Sequence, residues 1–215
     1  MSTANASPHA SDEVLQRGEP LRTAKAALVL LHGRGGSAQD IISLGEALTL
    51  SQVALLAPQA ADHTWYPNSF LAPIPSNEPW LSSAVQLVTS IVEGCVRAGV
   101  PPERVALLGF SQGACLACEV VARHPRRYGA LIAFTGGLIG PLGTNLQHDG
   151  SLSGTPILLS SGDPDPHVPW SRVEETAQQF GLMGGEVQLQ RYPGRPHTVL
   201  REELEAAGNL IGTHL

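Results

Sequence analysis

The chain has 215 residues, 42% of them hydrophobic and 15% charged, so it can bury a core of its own and is too apolar to be a disordered segment. That length suits a single domain. Thirteen Lys and Arg against 19 Asp and Glu leave a net charge of −6, which excludes the basic stripe that neutralises phosphates, so no nucleic-acid partner is expected.

Residues 1–20, rich in Ser, Ala, Asp and Pro, read as a flexible N-terminal tail in which residues 14–17 could form a short edge strand. Residues 21–215 read as one domain. The opening segment, MSTANASPHASDEV, has neither a basic start nor an apolar stretch after it, and three cysteines do not make a disulfide framework. A cytoplasmic protein with reduced thiols is the expectation. The apolar runs are far shorter than the ~20 residues that cross a bilayer, so no stable membrane insertion is expected.

From residue 26 onward short apolar runs alternate with longer stretches of helical spacing. The runs are 26–31, 53–57, 105–109, 130–135, 156–160 and 187–191. They lack the polar alternation of half-exposed strands, which predicts a parallel sheet covered on both faces. Helices are predicted near 40–48, 80–98, 113–123, 171–180 and 199–211, the second capped by Ser76 or Asn77 with Pro79 near its first turn. Pro125 ends the third. The fold class is therefore α/β, a mostly parallel sheet flanked by helices on both faces. Residues 58–79 and 136–154 fit neither element type, and long loops of this kind in a compact domain are commonly functional.

Gly109-Phe110-Ser111-Gln112-Gly113 fits G-x-S-x-G, placed between an apolar run and a helical stretch. That is the setting of a nucleophile elbow, where the turn is so tight that the flanking residues must be tiny. Serine needs a base, and downstream histidines are His167, His197 and His214. His214 lies next to the C-terminal residue, where fraying is expected, and His167 lies too close to the candidate acids, so His197 is best placed. Asp163 and Asp165 both qualify as the acid that fixes the imidazole tautomer. An oxyanion needs two preorganised N–H donors. Gln112 offers one, and the glycine-rich loop Leu31-His32-Gly33-Arg34-Gly35-Gly36-Ser37 offers the other. His32 is expected to bond the loop backbone; the Arg34 side chain is expected to be solvated, with a substrate carboxylate as its alternative partner. Cys115 and Cys118 form a C-x-x-C, read as small buried hydrophobes on the helix behind the serine, with a redox role as the alternative.

These pieces, with Gly162-Asp163-Pro164-Asp165-Pro166-His167-Val168-Pro169, resemble the phospholipase/carboxylesterase family of small α/β-hydrolases over residues 26 to about 200. The resemblance implies a triad of Ser111, Asp165 and His197, because the family pattern G-x-x-D-x-x-V-P falls on Gly162, Asp165, Val168 and Pro169. It also implies an oxyanion hole from the Arg34 and Gln112 backbone N–H groups, no cofactor, no metal, and a small-molecule ester as substrate; it admits a homodimer. The chain departs from the family at Arg195-Pro196, where relatives often carry a small residue or glycine. Similarity to a subgroup with an aromatic segment like Trp65-Tyr66-Pro67 implies that Trp65, Tyr66, Phe70 and Leu71 wall the substrate pocket; core packing of a long loop is the alternative. The expected activity is a serine carboxylesterase acting on short- to medium-chain esters. A thioesterase or lysophospholipase with the same triad, or an inactive binding module, are the competing expectations.

Overall fold

The computed structural model describes residues 7–9 and 14–215. Seven strands form one sheet in the order β1-β3-β2-β4-β5-β6-β7, comprising Val14–Gly18, Ala26–Leu31, Val53–Pro58, Val105–Phe110, Ala130–Phe134, Pro156–Asp163 and Glu186–Pro193 as β1 to β7. All neighbours run parallel except β1, which pairs antiparallel with β3. Helices α1 to α5 are Ala38–Glu46, Trp80–Arg97, Gln112–Arg123, Trp170–Leu182 and Arg201–His214.

The layering follows from side-chain alternation along the strands. Leu28 and Leu30 of β2 face α1 and α5 with Ile42, Leu210 and Ile211, whereas Ala27, Val29 and Leu31 face α2, α3 and α4. Both faces are thus buried, which is why β2 to β6 read as continuous apolar runs. In α2 the buried Leu81, Ala84, Val85, Val88, Val92 and Cys95 recur at helical spacing and form one stripe.

Two expectations need correcting. β7 is an edge strand with a largely exposed sequence, EVQLQRYP, and is not covered on both faces. The N-cap position of α2 is Pro79, and the first turn is instead served by Glu78, whose carboxylate accepts from the Ser82 N–H (3.0 Å) and hydroxyl (2.8 Å). Asn77 holds the preceding loop, accepting from the Asn68 N–H (2.8 Å) and donating to the Ser69 carbonyl (3.0 Å). The short edge strand expected at 14–17 is present as β1, Val14–Gly18, and ahead of it the buried His9 donates from Nε2 to the Trp65 carbonyl (3.0 Å) while Nδ1 accepts from the Ala61 N–H (3.2 Å). The rest of the tail, residues 1–6 and 10–13, lies outside the described residues. Among those residues no helix is long and apolar enough to cross a membrane.

Parallel strands all end on the same side. The register sets Leu31 beside Gly109, Phe110 beside Phe134, and Asp163 beside Pro193, so the loops after β2, β4, β6 and β7 meet at one rim.

Candidate active site

Ser111 stands at the turn from β4 into α3 with φ 54° and ψ −117°, a strained conformation for a residue with a Cβ. The turn is tight enough that a Cβ on Gly109 would lie 2.3 Å from the Gly113 carbonyl oxygen, and one on Gly113 would lie 2.1 Å from that of Leu31. Only glycine fits at either position, which accounts for the motif physically.

His197 lies in the loop after β7, with Nε2 2.9 Å from Ser111 Oγ and Nδ1 2.8 Å from Asp165 Oδ2. A hydroxyl donating to Nε2 and an Nδ1–H donating to the carboxylate is the tautomer that satisfies both bonds. The second oxygen of Asp165 accepts from the backbone N–H of His167 (2.9 Å) and Val168 (3.0 Å). Burial alone would raise the Asp165 carboxyl; those amides and His197 outweigh it and hold the group below its ordinary value, so it stays ionised. Asp163 is engaged elsewhere, in an ion pair with Arg191. Of the acids left open by position, Asp165 is the one in contact with His197. His214 ends α5. His167 stands edge-on to His197 at 4.9 Å between ring centroids.

A feature that sequence reasoning missed holds the His197 loop. The Arg195 side chain is buried, with Nη2 donating to Thr135 Oγ1 (2.6 Å), Nη1 to the Thr198 carbonyl, and Nε 3.5 Å from Glu203 Oε2. Glu203, on α5, also accepts from Ser160 Oγ (2.5 Å) and the Leu200 N–H (2.8 Å). The loop with the unusual Arg195-Pro196 is thus riveted to the core by a buried ion pair. Gly162 completes the fit, since a Cβ there would meet the Arg195 carbonyl oxygen at 2.6 Å.

On the other side of the serine, the backbone N–H of Arg34 and of Gln112 donate to no acceptor among the described residues; the latter is one of the unsatisfied donors at the start of α3. The loop carrying Arg34 is fixed by His32, whose Nδ1 donates to the Gly33 carbonyl (2.7 Å) and whose Nε2 accepts from the Ala60 N–H (3.1 Å). Burial lowers its pKa and keeps the ring neutral. The Arg34 side chain is exposed, and its guanidinium also donates to the Pro67 and Asn68 carbonyls at 2.8 and 2.6 Å. The Gln112 side chain, also unforeseen, accepts from the Trp65 N–H (2.9 Å) and donates to the Tyr66 carbonyl (2.7 Å).

A cavity of about 410 Å³ opens beside Ser111, and Tyr66 and Phe70 line it together with Arg34, Gln112, Cys115, Val168 and the two histidines. A second, of about 370 Å³, lies across His197 and is lined by Ile41, Leu44, Phe110 and Val199. Trp65 and Leu71 line neither cavity. Trp65 is fully buried, donating from Nε1 to the His32 carbonyl (2.8 Å), and Leu71 packs against the core. Both therefore support the aromatic loop from within and do not wall the pocket. Cys115 and Cys118 are free and buried, and burial pushes the Cys115 thiol up to about 12, which removes the thiolate that redox chemistry needs. Among the described residues no cluster of His, Cys, Asp and Glu could hold a metal ion.

Comparison with known proteins agrees with this fold. The family model for phospholipases/carboxylesterases matches residues 17–215. A crystal structure of a phospholipase/carboxylesterase from Dyadobacter fermentans superposes with a TM-score of 0.90 at 46% identity, covering 94% of this chain and 96% of that one. Among curated proteins, acyl-protein thioesterase 1 of Eremothecium gossypii is 29% identical over 89% of both chains. A probable carboxylesterase of Oryza sativa is 30% identical over 66% of this chain, which spans only 53% of that protein's length. The match covers the sheet, the elbow and both loops that meet at it, and so the chain belongs to the phospholipase/carboxylesterase family of α/β-hydrolases.

Proposed function

We propose that this ester hydrolase is a serine carboxylesterase acting on short- to medium-chain carboxylic esters through an acyl-enzyme on Ser111. The observation that carries the reading is the unbroken hydrogen-bonded line from Ser111 through His197 to Asp165, at an elbow beside two unengaged N–H groups. His197 takes the proton of Ser111 as the oxygen attacks the acyl carbon, and Asp165 stabilises the imidazolium without accepting a proton. The Arg34 and Gln112 N–H groups receive the developing oxyanion, each such donor being worth roughly 10²–10³ in rate. His197 then protonates the departing alcohol, and water releases the acyl group by the reverse proton route. Tyr66 and Phe70 wall the site of the bound ester. A cavity of about 410 Å³ is at the small end of ligand pockets, which favours short and medium chains.

The likeness to acyl-protein thioesterase 1 favours a second reading, in which the same residues cleave an acyl thioester. Hydrolysis of p-nitrophenyl esters from acetate to long acyl chains, beside the matching thioesters and Ser111→Ala, separates the two. Activity that peaks at short or medium oxygen esters and vanishes in the variant supports the carboxylesterase. A preference for the thioesters moves the assignment to the second reading. Silence on both, with no labelling of Ser111 by a fluorophosphonate, leaves a binding module.

A further inference from the structure

Two cavities meet at His197, and the chemistry above uses only the first. The second is walled by Ile41 and Leu44 of α1, by Phe110, and by Val199 of the loop after β7. Ile41 is buried, whereas Leu44, Phe110 and Val199 pack on the core beneath α1 and α5 and stay half-exposed toward the cavity. Its volume, about 370 Å³, lies within the roughly 300–1,000 Å³ of small-molecule sites. Apolar side chains left half-covered around one hollow gain by burial under a ligand.

This cavity begins beside the reacting atoms. Both cavities are bounded by Arg34 and His197, which offer an oxyanion N–H and the general acid. Of the rings next to His197, His167 at 4.9 Å lines the first cavity and Phe110 at 5.2 Å lines the second, so the imidazole stands between them. Gly33 lines the second cavity, and a Cβ there would lie 3.3 Å from Phe110 Cδ1 and 3.5 Å from Ser111 Cβ. A side chain at that position would press on the nucleophile and on the cavity wall at once. Glycine leaves the passage between them open.

Attack on the acyl carbon leaves it bonded to Ser111 Oγ, to the oxyanion and to the two diverging halves of the ester. The acyl half starts at a carbon held over Ser111 and Gln112, which line the first cavity and not the second. The alcohol half starts at the oxygen that His197 protonates, about 2.6–3.2 Å from Nε2. From that oxygen it runs along the imidazole, and the hollow on the Phe110 side of the ring is the second cavity.

We propose that the second cavity is the subsite of the departing alcohol, and that the preferred esters carry a bulky apolar alcohol, of benzyl size, against Phe110 and Leu44. The inference rests on the esterase reading and extends it from the acyl half to the alcohol half. A methyl ester would leave Leu44, Phe110 and Val199 uncovered and forgo the burial that a larger alcohol gains.

The test compares methyl and benzyl butanoate, whose alcohols are of similar acidity and differ chiefly in bulk. Each kcat/KM, followed by proton release, is divided by the rate of alkaline hydrolysis of the same ester. This constant includes expulsion of the alcohol, whereas the later release of the acyl group is common to both esters. The wild type favours the benzyl ester about ten-fold or more. Leu44→Trp fills the cavity and brings the ratio to about one, and Val199→Phe is the second variant with the same expected ratio. In both variants the order of preference among methyl esters from acetate to octanoate stays that of the wild type. A wild-type ratio near one overturns the inference whatever the variants do. So does a reordered acyl series in either variant, which would put the acyl half in the second cavity. A variant that slows methyl and benzyl esters equally also overturns it, since that is the mark of a structural role. Failure of the esterase reading looks different: every one of these esters is then inert in the wild type, and both readings fall.

Discussion

The two walls that meet at Ser111 are held by different forces. On one side, the segments around Arg34 and Trp65–Tyr66 are tied by uncharged groups: His32 to Gly33 and Ala60, His9 to Ala61 and Trp65, and Gln112 to the 65–66 backbone. On the other, the loops bearing Asp165 and His197 are tied by ions, a carboxylate among amides and the buried Arg195–Glu203 pair. Neutral hydrogen bonds through imidazole are undone by a proton. A buried ion pair fails when one partner is removed, because the other is left uncompensated. The same rim of one sheet therefore has one wall that protonation of imidazoles loosens and one that loss of a charged partner loosens.

The largest expected effect falls where the walls meet. Ser111→Ala and Asp165→Asn each lower kcat about 10⁴-fold or more, with Asp163→Asn changing it less than two-fold. Equal losses for both aspartate variants would transfer the role of the acid away from Asp165. Arg195→Met strands Glu203 and costs about 3–5 kcal/mol, read by urea unfolding, and Arg195→Met/Glu203→Gln regains part of that loss. An unchanged midpoint for the single variant would show that the ion wall stands without its pair.

On the neutral wall the effects are smaller. Trp65→Phe removes the bond to the His32 carbonyl and costs about 1–3 kcal/mol by the same measurement. Burial holds His9 and His32 below the ordinary histidine value of 6.5, so the unfolded chain takes protons there first. Their contribution is therefore whole above pH 6.5 and is lost as pH falls below it. His9→Gln flattens this acid-side decline in Tm; an unaltered slope would place the sensitivity elsewhere.

Strands β2 to β6 were legible in the sequence because burial on both faces writes an uninterrupted apolar run. Edge strand β7 was located at 187–191, but its VQLQRY alternates, which marks the incomplete cover of an edge and not the two-sided burial expected of it. The contacts among Ser111, Asp165 and His197 join residues that short motifs singled out, since a glycine required by close approach leaves a fixed mark in sequence. Two other features left no such mark. Trp65 and Tyr66 are adjacent aromatics in one loop, yet the first is core and the second lines the cavity, a difference set by the backbone turn between them. Arg195 reads as an exposed loop arginine until Glu203, on the following helix, is seen to lie beside it.

His197 has no fixed place until β7 has paired with β6, and β7 is the last strand of the chain. The nucleophile and its base are 86 residues apart in sequence, and contacts of such long range form late. Chemical competence is thus a terminal event in the maturation of this molecule. During refolding from denaturant, intrinsic tryptophan fluorescence recovers before reactivity toward a fluorophosphonate. A chain still short of residue 197 lacks the base that activates Ser111 and is inert.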